Sequence, residues 1–149
     1  MVSRRSFLRR LDIPAVERSI GRAEARTSGE VRVSVAGFFI GDGRRFAARA
    51  FQRLGMQATQ HRNGVLLVIA PARRQFVVVG DEGINSRVPD KFWAGIADKV
   101  SARFRAGQFT EGVIEAVDEI GAALARHYPI DADQQNPNEL PDTIDVGRD

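Results

Sequence analysis

The stretch GDEGINSRVPD, Gly80 to Asp90, sets two adjacent carboxylates, Asp81 and Glu82, between glycines at the end of the apolar run FVVV. Hard cations want several oxygen ligands, and Asp81, Glu82, Glu30 and the side-chain carbonyl of Asn63 are the residues that could supply them to calcium or magnesium. A cation held there would polarise a phosphate and activate water, with Arg62 holding the phosphate. Asp81, Glu82 and Arg62 are therefore the catalytic candidates, and phosphomonoester hydrolysis is the reaction they would suit. The spacing matches no EF-hand loop. A plainer role competes at every position. An Asp-Glu pair ahead of a helix stabilises its N-terminal dipole, Gly80 and Gly83 are turn formers, and Asn63-Gly64 is an ordinary turn into a strand. His61 reads as a surface histidine, His127 as a partner for a helix C-terminus, and Trp93 as a core residue. No HExxH, Walker loop, Gly-x-Ser-x-Gly elbow or strand-linked GxGxxG is present, so hydride transfer and nucleotide hydrolysis by standard motifs drop out.

The elements that would position these residues follow from periodicity. Asp12 can cap a helix reaching about Arg26, with Ile13, Val16, Ile20 and Ala23 on one face. EVRVSVA, Glu30 to Ala36, alternates as a half-buried or edge strand does. After the turn Gly41-Asp42-Gly43, Phe46, Ala47, Ala50, Phe51 and Leu54 recur at helical spacing. VLLVIA, Val65 to Ala70, is the continuous apolar run of a strand covered on both faces, and a short polar link joins it to a third strand, Gln75 to Val79, in an antiparallel hairpin. A helix from about Pro89 carries Phe92, Trp93, Ile96, Val100 and Phe104 inward, and a last one runs from about Thr110, a plausible cap, to His127.

This order predicts an α/β fold, a three-layer α/β/α sandwich whose small mixed sheet is flanked by about four helices. The first and second strands, joined by a helical crossover, are expected parallel, and the third runs back. The end of the third strand then meets the starts of the other two. Asp81 and Glu82 come to one sheet edge with Thr27, Ser28, Glu30, Thr59, His61, Arg62 and Asn63.

The whole chain has 149 residues, which suits one core rather than two. Three parts are expected: a basic N-terminal arm at 1–11, the domain at 12–128, and an acidic, mostly extended tail at 129–149. The tail holds six acids against Arg148, net −5, leaving +8 on residues 1–128 within a whole-chain charge of +3. Leu140 and Ile144 are the tail residues able to dock. Arg45, Arg49 and Arg53 share one helix face and read as a solvated stripe, and with no aromatic or glycine-rich RNA signature beside them nucleic acid is not the expected partner. SRRSFLRR looks like a twin-arginine export signal, but a charged amphipathic segment follows where an apolar region is needed. With no cysteine and no long apolar run, the expected location is cytoplasmic, with peripheral contact between the basic arm and anionic lipid as the weaker alternative.

The collinear series TSGEVRV (Thr27 to Val33), FQRLGM, RNGVLLVIA, GDEGIN, VPDKFW, FRAGQFTEGV and NELPDTI (Asn138 to Ile144) resembles the TPM-domain family. The resemblance implies this same sandwich. It also implies a divided set of functions: thylakoid-lumen relatives are described as acid phosphatases linked to photosystem II repair, some bacterial relatives bind calcium, and an animal relative modulates an acetylcholine receptor. The commoner pattern carries a secretion signal, a Gly-Tyr-Gly-Leu-Glu stretch after the third strand and often a membrane anchor. GDEGI stands in place of that stretch, which resembles the short stand-alone subgroup often encoded beside LemA-like membrane proteins. Two functions are therefore expected side by side: a non-catalytic interaction domain serving a membrane protein and binding calcium or nothing, and a weak metal-assisted phosphatase.

Overall fold

The computed structural model describes residues 2–131 and 133–146. Met1 of the expected arm, and Ala132 and Gly147 to Asp149 of the expected tail, lie outside the described residues. The elements run α1 (Arg4–Arg10), α2 (Ile13–Glu24), β1 (Glu30–Val35), α3 (Gly43–Arg53), β2 (Gly64–Ala70), a 3-10 turn (Pro71–Arg73), β3 (Gln75–Gly80), α4 (Glu82–Asn85), α5 (Asp90–Arg105) and α6 (Phe109–His127). The sheet order is β1-β2-β3, with β1 and β2 parallel and β2 and β3 antiparallel.

The alternation of each strand assigns the two layers. Val31, Val33, Val35, Val65, Leu67 and Ile69 point to one face, where they meet Val16 and Ile20 of α2, Ile96 and Val100 of α5, and Val117 and Ile120 of α6. Leu66, Val68 and Ala70 point to the other, against Ala47, Ala50 and Phe51 of α3, Met56, and Leu140 of the tail. The β2 run is buried throughout because helices or tail cover both of its faces. The α2–α6 crossing is close: a Cβ at Gly121 would lie 2.6 Å from that of Ala23. Arg103 and Lys99 of α5 reach Glu115 and Glu119 of α6, fixing those two helices side by side.

Two helices exceed the expected four. Residues 4–10, read from sequence as a basic arm, form α1, capped by Ser3 accepting from Ser6 N–H at 3.1 Å. Its Phe7 is fully buried, with ring centroids 5.3 Å from Phe104 and 5.4 Å from Phe109. One aromatic in a run of arginines carries no readable period, so the packing contact was invisible. The second addition, α4, is a single turn capped by Asp81, which accepts from Glu82 N–H at 2.8 Å. Thr110 does not cap α6, which starts after Gln108; its hydroxyl instead accepts from Asp12 N–H at 3.0 Å.

The tail lies on the domain. Val35 N–H donates to the Asp145 carbonyl at 2.8 Å and Asp145 N–H to Val33 at 2.9 Å, so residue 145 covers the outer edge of β1. An edge strand otherwise offers unpaired backbone groups to other chains, and this cover removes them. Arg53 grips the same Asp145 at 2.8 Å, which takes it out of the solvated stripe.

Candidate functional site

Topology gathers the expected residues at one end of the sheet. Glu30 pairs with Gly64 across β1 and β2, Glu30 N–H donates to the Asn63 carbonyl, and Asp81 N–H donates to the Gly64 carbonyl at 2.9 Å. The loop before β2 therefore sits between the start of β1 and the end of β3.

The hydrogen bonds then divide these residues into two groups. In the first, Arg62 forks onto Asp81, with Nε to Oδ2 at 2.7 Å and Nη2 to Oδ1 at 2.9 Å, and its Nη1 reaches Glu82 at 3.3 Å. Two parallel bonds of this kind are the strongest form of arginine-carboxylate pairing. Asp81 is 5% exposed, whereas the Arg62 side chain is 42% exposed and Glu82 lies open to water. The bonds to Asp81 hold the Arg62 guanidinium above its ordinary pKa. Arg62 takes φ 51°, a left-handed backbone uncommon for a residue with a side chain, and this turn aims it at Asp81. Gly83 closes the arrangement. Its N–H donates to the Arg62 carbonyl at 2.9 Å, and a Cβ there would run into the carbonyl oxygens of His61 and Arg62. Only glycine allows that approach.

The second group surrounds the fully buried Glu30, whose Oε1 accepts from Leu140 N–H of the tail at 2.8 Å. Among the described residues its Oε2 accepts no hydrogen bond of good geometry, although the side-chain amide of Asn136 lies close enough to favour the ionised form. Burial raises its pKa to about 7, the Leu140 amide opposes this, and the charges of Asp142 and Glu139 add to it. Glu24, at the end of α2, accepts from Val31 N–H at 2.8 Å and so covers one donor of the β1 edge. Burial, then a hydrogen bond with Asp142, raises its pKa to about 10, so it carries a proton at neutral pH. Asn136 ties the tail above them, its Nδ2 donating to the Gly29 carbonyl at 2.8 Å and to the carbonyls of Thr27 and Glu24.

Asn63, also fully buried, stands between the groups. Its Nδ2 donates to Ser28 at 3.2 Å and its N–H to Thr59 at 3.3 Å, while its Oδ1 has no partner among the described residues. Trp93 is core, as its sequence suggests, and its Nε1 donates to Asn85 at 2.7 Å.

Reasoning from sequence missed Glu24, which it did not single out, and Asp142, which it counted only among the six acids of the tail. The available signal was the motif NELPDTI itself, which sets acids beside Leu140, the residue expected to dock. Chemically, the first group is a neutralised ion pair and the second a pair of buried carboxyl groups, Glu24 and Glu30, under the half-buried Asp142. Among the described residues, no three or more His, Cys, Asp or Glu are grouped so as to hold a metal ion.

Comparison with known proteins can now be set beside this geometry. The solution structure of BA42 from the psychrophilic bacterium Bizionia argentinensis is similar at 36% identity and TM-score 0.81, over 91% of this chain and 92% of that one. The N-terminal domain of a protein from P. gingivalis shares the fold at 24% identity and TM-score 0.58, over 74% of this chain and 71% of that one. Comparison with curated proteins gives no match. The TPM domain matches residues 2–123, a span that takes in α1, all three strands and most of α6, and the chain accordingly belongs to the TPM-domain family.

Proposed function

We propose that this TPM domain is a non-catalytic interaction domain that serves a membrane protein, and that it binds calcium beside Glu30. The observation that carries the first part is the fork of Arg62 on Asp81. A phosphatase using these residues would need Arg62 free to hold phosphate and Asp81 free to hold a cation. Each instead satisfies the other, and Asp81 has little surface left to offer. The membrane-protein partner is supported by the resemblance to short members encoded beside LemA-like proteins; no helix among the described residues is long and apolar enough to cross a bilayer.

Calcium is supported by donor chemistry. Among the described residues Glu30 Oε2 is a buried oxygen without a hydrogen bond of good geometry, and Glu24, Glu139 and Asp142 leave the surroundings of Glu30 rich in acid. Buried carboxylates of like sign disfavour ionisation, and a hard cation would relieve that. Glu30 would supply the carboxylate; Asn63 follows the opposite face of the sheet, since Glu30 pairs with its neighbour Gly64, and so stands apart from this oxygen.

The test is aryl phosphate hydrolysis by purified protein with calcium, magnesium or chelator, run beside Asp81→Asn. The expected result is no metal-dependent turnover above that of the variant. Metal-dependent turnover abolished by Asp81→Asn would replace this reading with the phosphatase. Calcium binding is read separately by calorimetry on the full chain and on Glu30→Gln.

A further inference from the structure

The two edges of the sheet are treated differently. β1 is covered by Glu24 and Asp145, but among the described residues no strand or tail pairs with the outer side of β3 before Gly80. Asp81 N–H donates to the Gly64 carbonyl, and antiparallel pairing alternates, so Val79, Val77 and Gln75 direct their backbone groups to β2. Phe76 and Val78 therefore direct N–H and C=O away from the sheet; Gly80 at the end of the strand is buried beside Asn85, which takes its carbonyl, and closes the open stretch. These groups lie at the floor of a groove of about 430 Å³ between α3 and α5, continued toward Gln75 by a second stretch of about 330 Å³.

The groove walls carry their own pattern. Ala48 on α3 and Ala94 and Ala97 on α5 are small, which leaves space above the strand edge. The α5 wall bears Asp90 and Asp98 and the α3 wall Arg44, all exposed and none in an ion pair among the described residues. We propose that an extended segment of a partner protein docks in this groove as a fourth strand on β3, with basic side chains toward Asp90 and Asp98. The proposal rests on the reading of the chain as an interaction domain and names the form of its partner. Strand addition draws affinity from backbone hydrogen bonds and specificity from alternate side chains, which is what an edge with walls of opposite charge provides. A second copy fits less well. Antiparallel two-fold pairing of β3 with β3 would place α5 against α5 and α3 against α3, setting acids opposite acids and Arg44 opposite Arg44, and in either strand direction both edges are recessed between helices.

The probe is an acetylated, amidated octapeptide of alternating lysine and valine, compared with two forms of it, one N-methylated at the lysines and one at the valines, so that each loses one row of backbone donors. Binding to the full chain is followed by amide NMR shifts and calorimetry. Expected are saturable shifts at Phe76 and Val78, loss of binding on N-methylation of the donor row facing β3, and at least a tenfold weakening in Asp98→Lys, an exposed change that leaves the core untouched. Ala97→Phe, which fills the groove, should abolish binding if it folds. No saturable binding at millimolar peptide, shifts located elsewhere, or equal binding by both N-methylated registers would overturn the proposal. So would β3 shifts on concentrating the protein alone, which would make a second copy the occupant. Failure here with phosphate hydrolysis still absent removes the groove only; metal-dependent hydrolysis removes the interaction reading beneath it.

Discussion

Arg62 and Asp81 bind each other through two hydrogen bonds of 2.7 and 2.9 Å, and the bond is set up by an arginine backbone at φ 51°. The pair is asymmetric, since the carboxylate is buried and the guanidinium half-exposed. Removing Arg62 leaves a buried charge without its partner, whereas removing Asp81 leaves a cation that water can solvate. Arg62→Ala should therefore lower the urea midpoint more than Asp81→Asn does, and Arg62→Lys should fall between wild type and alanine because an ammonium cannot fork. Equal midpoints for wild type and Arg62→Ala would show that the pair is not structural.

Gly83 is the second residue on which that turn depends. A Cβ at this position meets backbone carbonyls rather than a flexible side chain, so the loop itself must move. Gly83→Ala should cost about 1–3 kcal/mol, in the range of overpacked sites, despite the better helix propensity of alanine. Urea denaturation measures it; a neutral or stabilising result would mean that the 61–62 loop yields freely.

The contrast between the two carboxylate groups shows what a sequence can convey. Asp81 followed by Glu82 and glycine reads directly as a cap, and Asp81 does cap α4, because capping is a local relation that spacing records. Strand alternation likewise placed Val31, Val33 and Val35 on one face. Glu24 is different. Its environment is made by Val31 N–H, by burial and by Asp142 far along the chain, and no local pattern marks an acid that tertiary contacts will bury. Phe7 was hidden for the same reason: its partners Phe104 and Phe109 come from α5 and α6.

The raised pKa values of Glu24 and Glu30 set a pH dependence with a definite sign. Below the ordinary 4.5 both carboxyls are protonated whether the chain is folded or not, and neither costs stability. Above it the unfolded chain releases their protons while the folded chain retains Glu30's up to about 7 and Glu24's up to about 10. The folded state then binds more protons, so stability falls as pH rises through this window, by at most about 1.4 kcal/mol per unit for each group. Glu24→Gln mimics the protonated acid, keeping an acceptor for Val31 N–H and gaining a donor for Asp142. It should raise stability at pH 8 by on the order of 2 kcal/mol and leave it nearly unchanged at pH 4. Urea titrations at both pH values decide it, and a Glu24→Gln protein less stable than wild type at pH 8 would mean that Glu24 is ionised when folded.

The tail should matter to stability through one apolar contact. Leu140 is 7% exposed and packs with Phe51, Met56 and Leu66, while its N–H serves Glu30. Leu140→Ala should cost about 2–3 kcal/mol, the lower part of the range for buried leucines, because the site lies under a single strap of chain that can settle inward. Hydrogen exchange gives the sharper readout: the Val35 amide, which donates to Asp145, should lose protection, while the central amides of β2 keep theirs until global unfolding. Equal loss at both would make the tail part of one cooperative unit.

Calcium and protons should compete for Glu30. A cation binds the ionised carboxylate, and Glu30 holds its proton up to about pH 7 because burial and the charges of Asp142 and Glu139 oppose ionisation. Calcium affinity should therefore rise about tenfold per pH unit between pH 5 and 7 if one proton is displaced, then level off above the Glu30 titration. Glu24 keeps its proton up to about pH 10 and should not contribute a second step in this range. Calorimetry in two buffers of different ionisation enthalpy counts the protons released: one near pH 6, falling toward zero at pH 8. Glu30→Gln should lose both the calcium binding and the proton release, and Asp81→Asn should keep both, since Asp81 belongs to the separate pair with Arg62. Binding that survives in Glu30→Gln and disappears in Asp81→Asn would move the cation to the GDEG turn and reopen the catalytic reading.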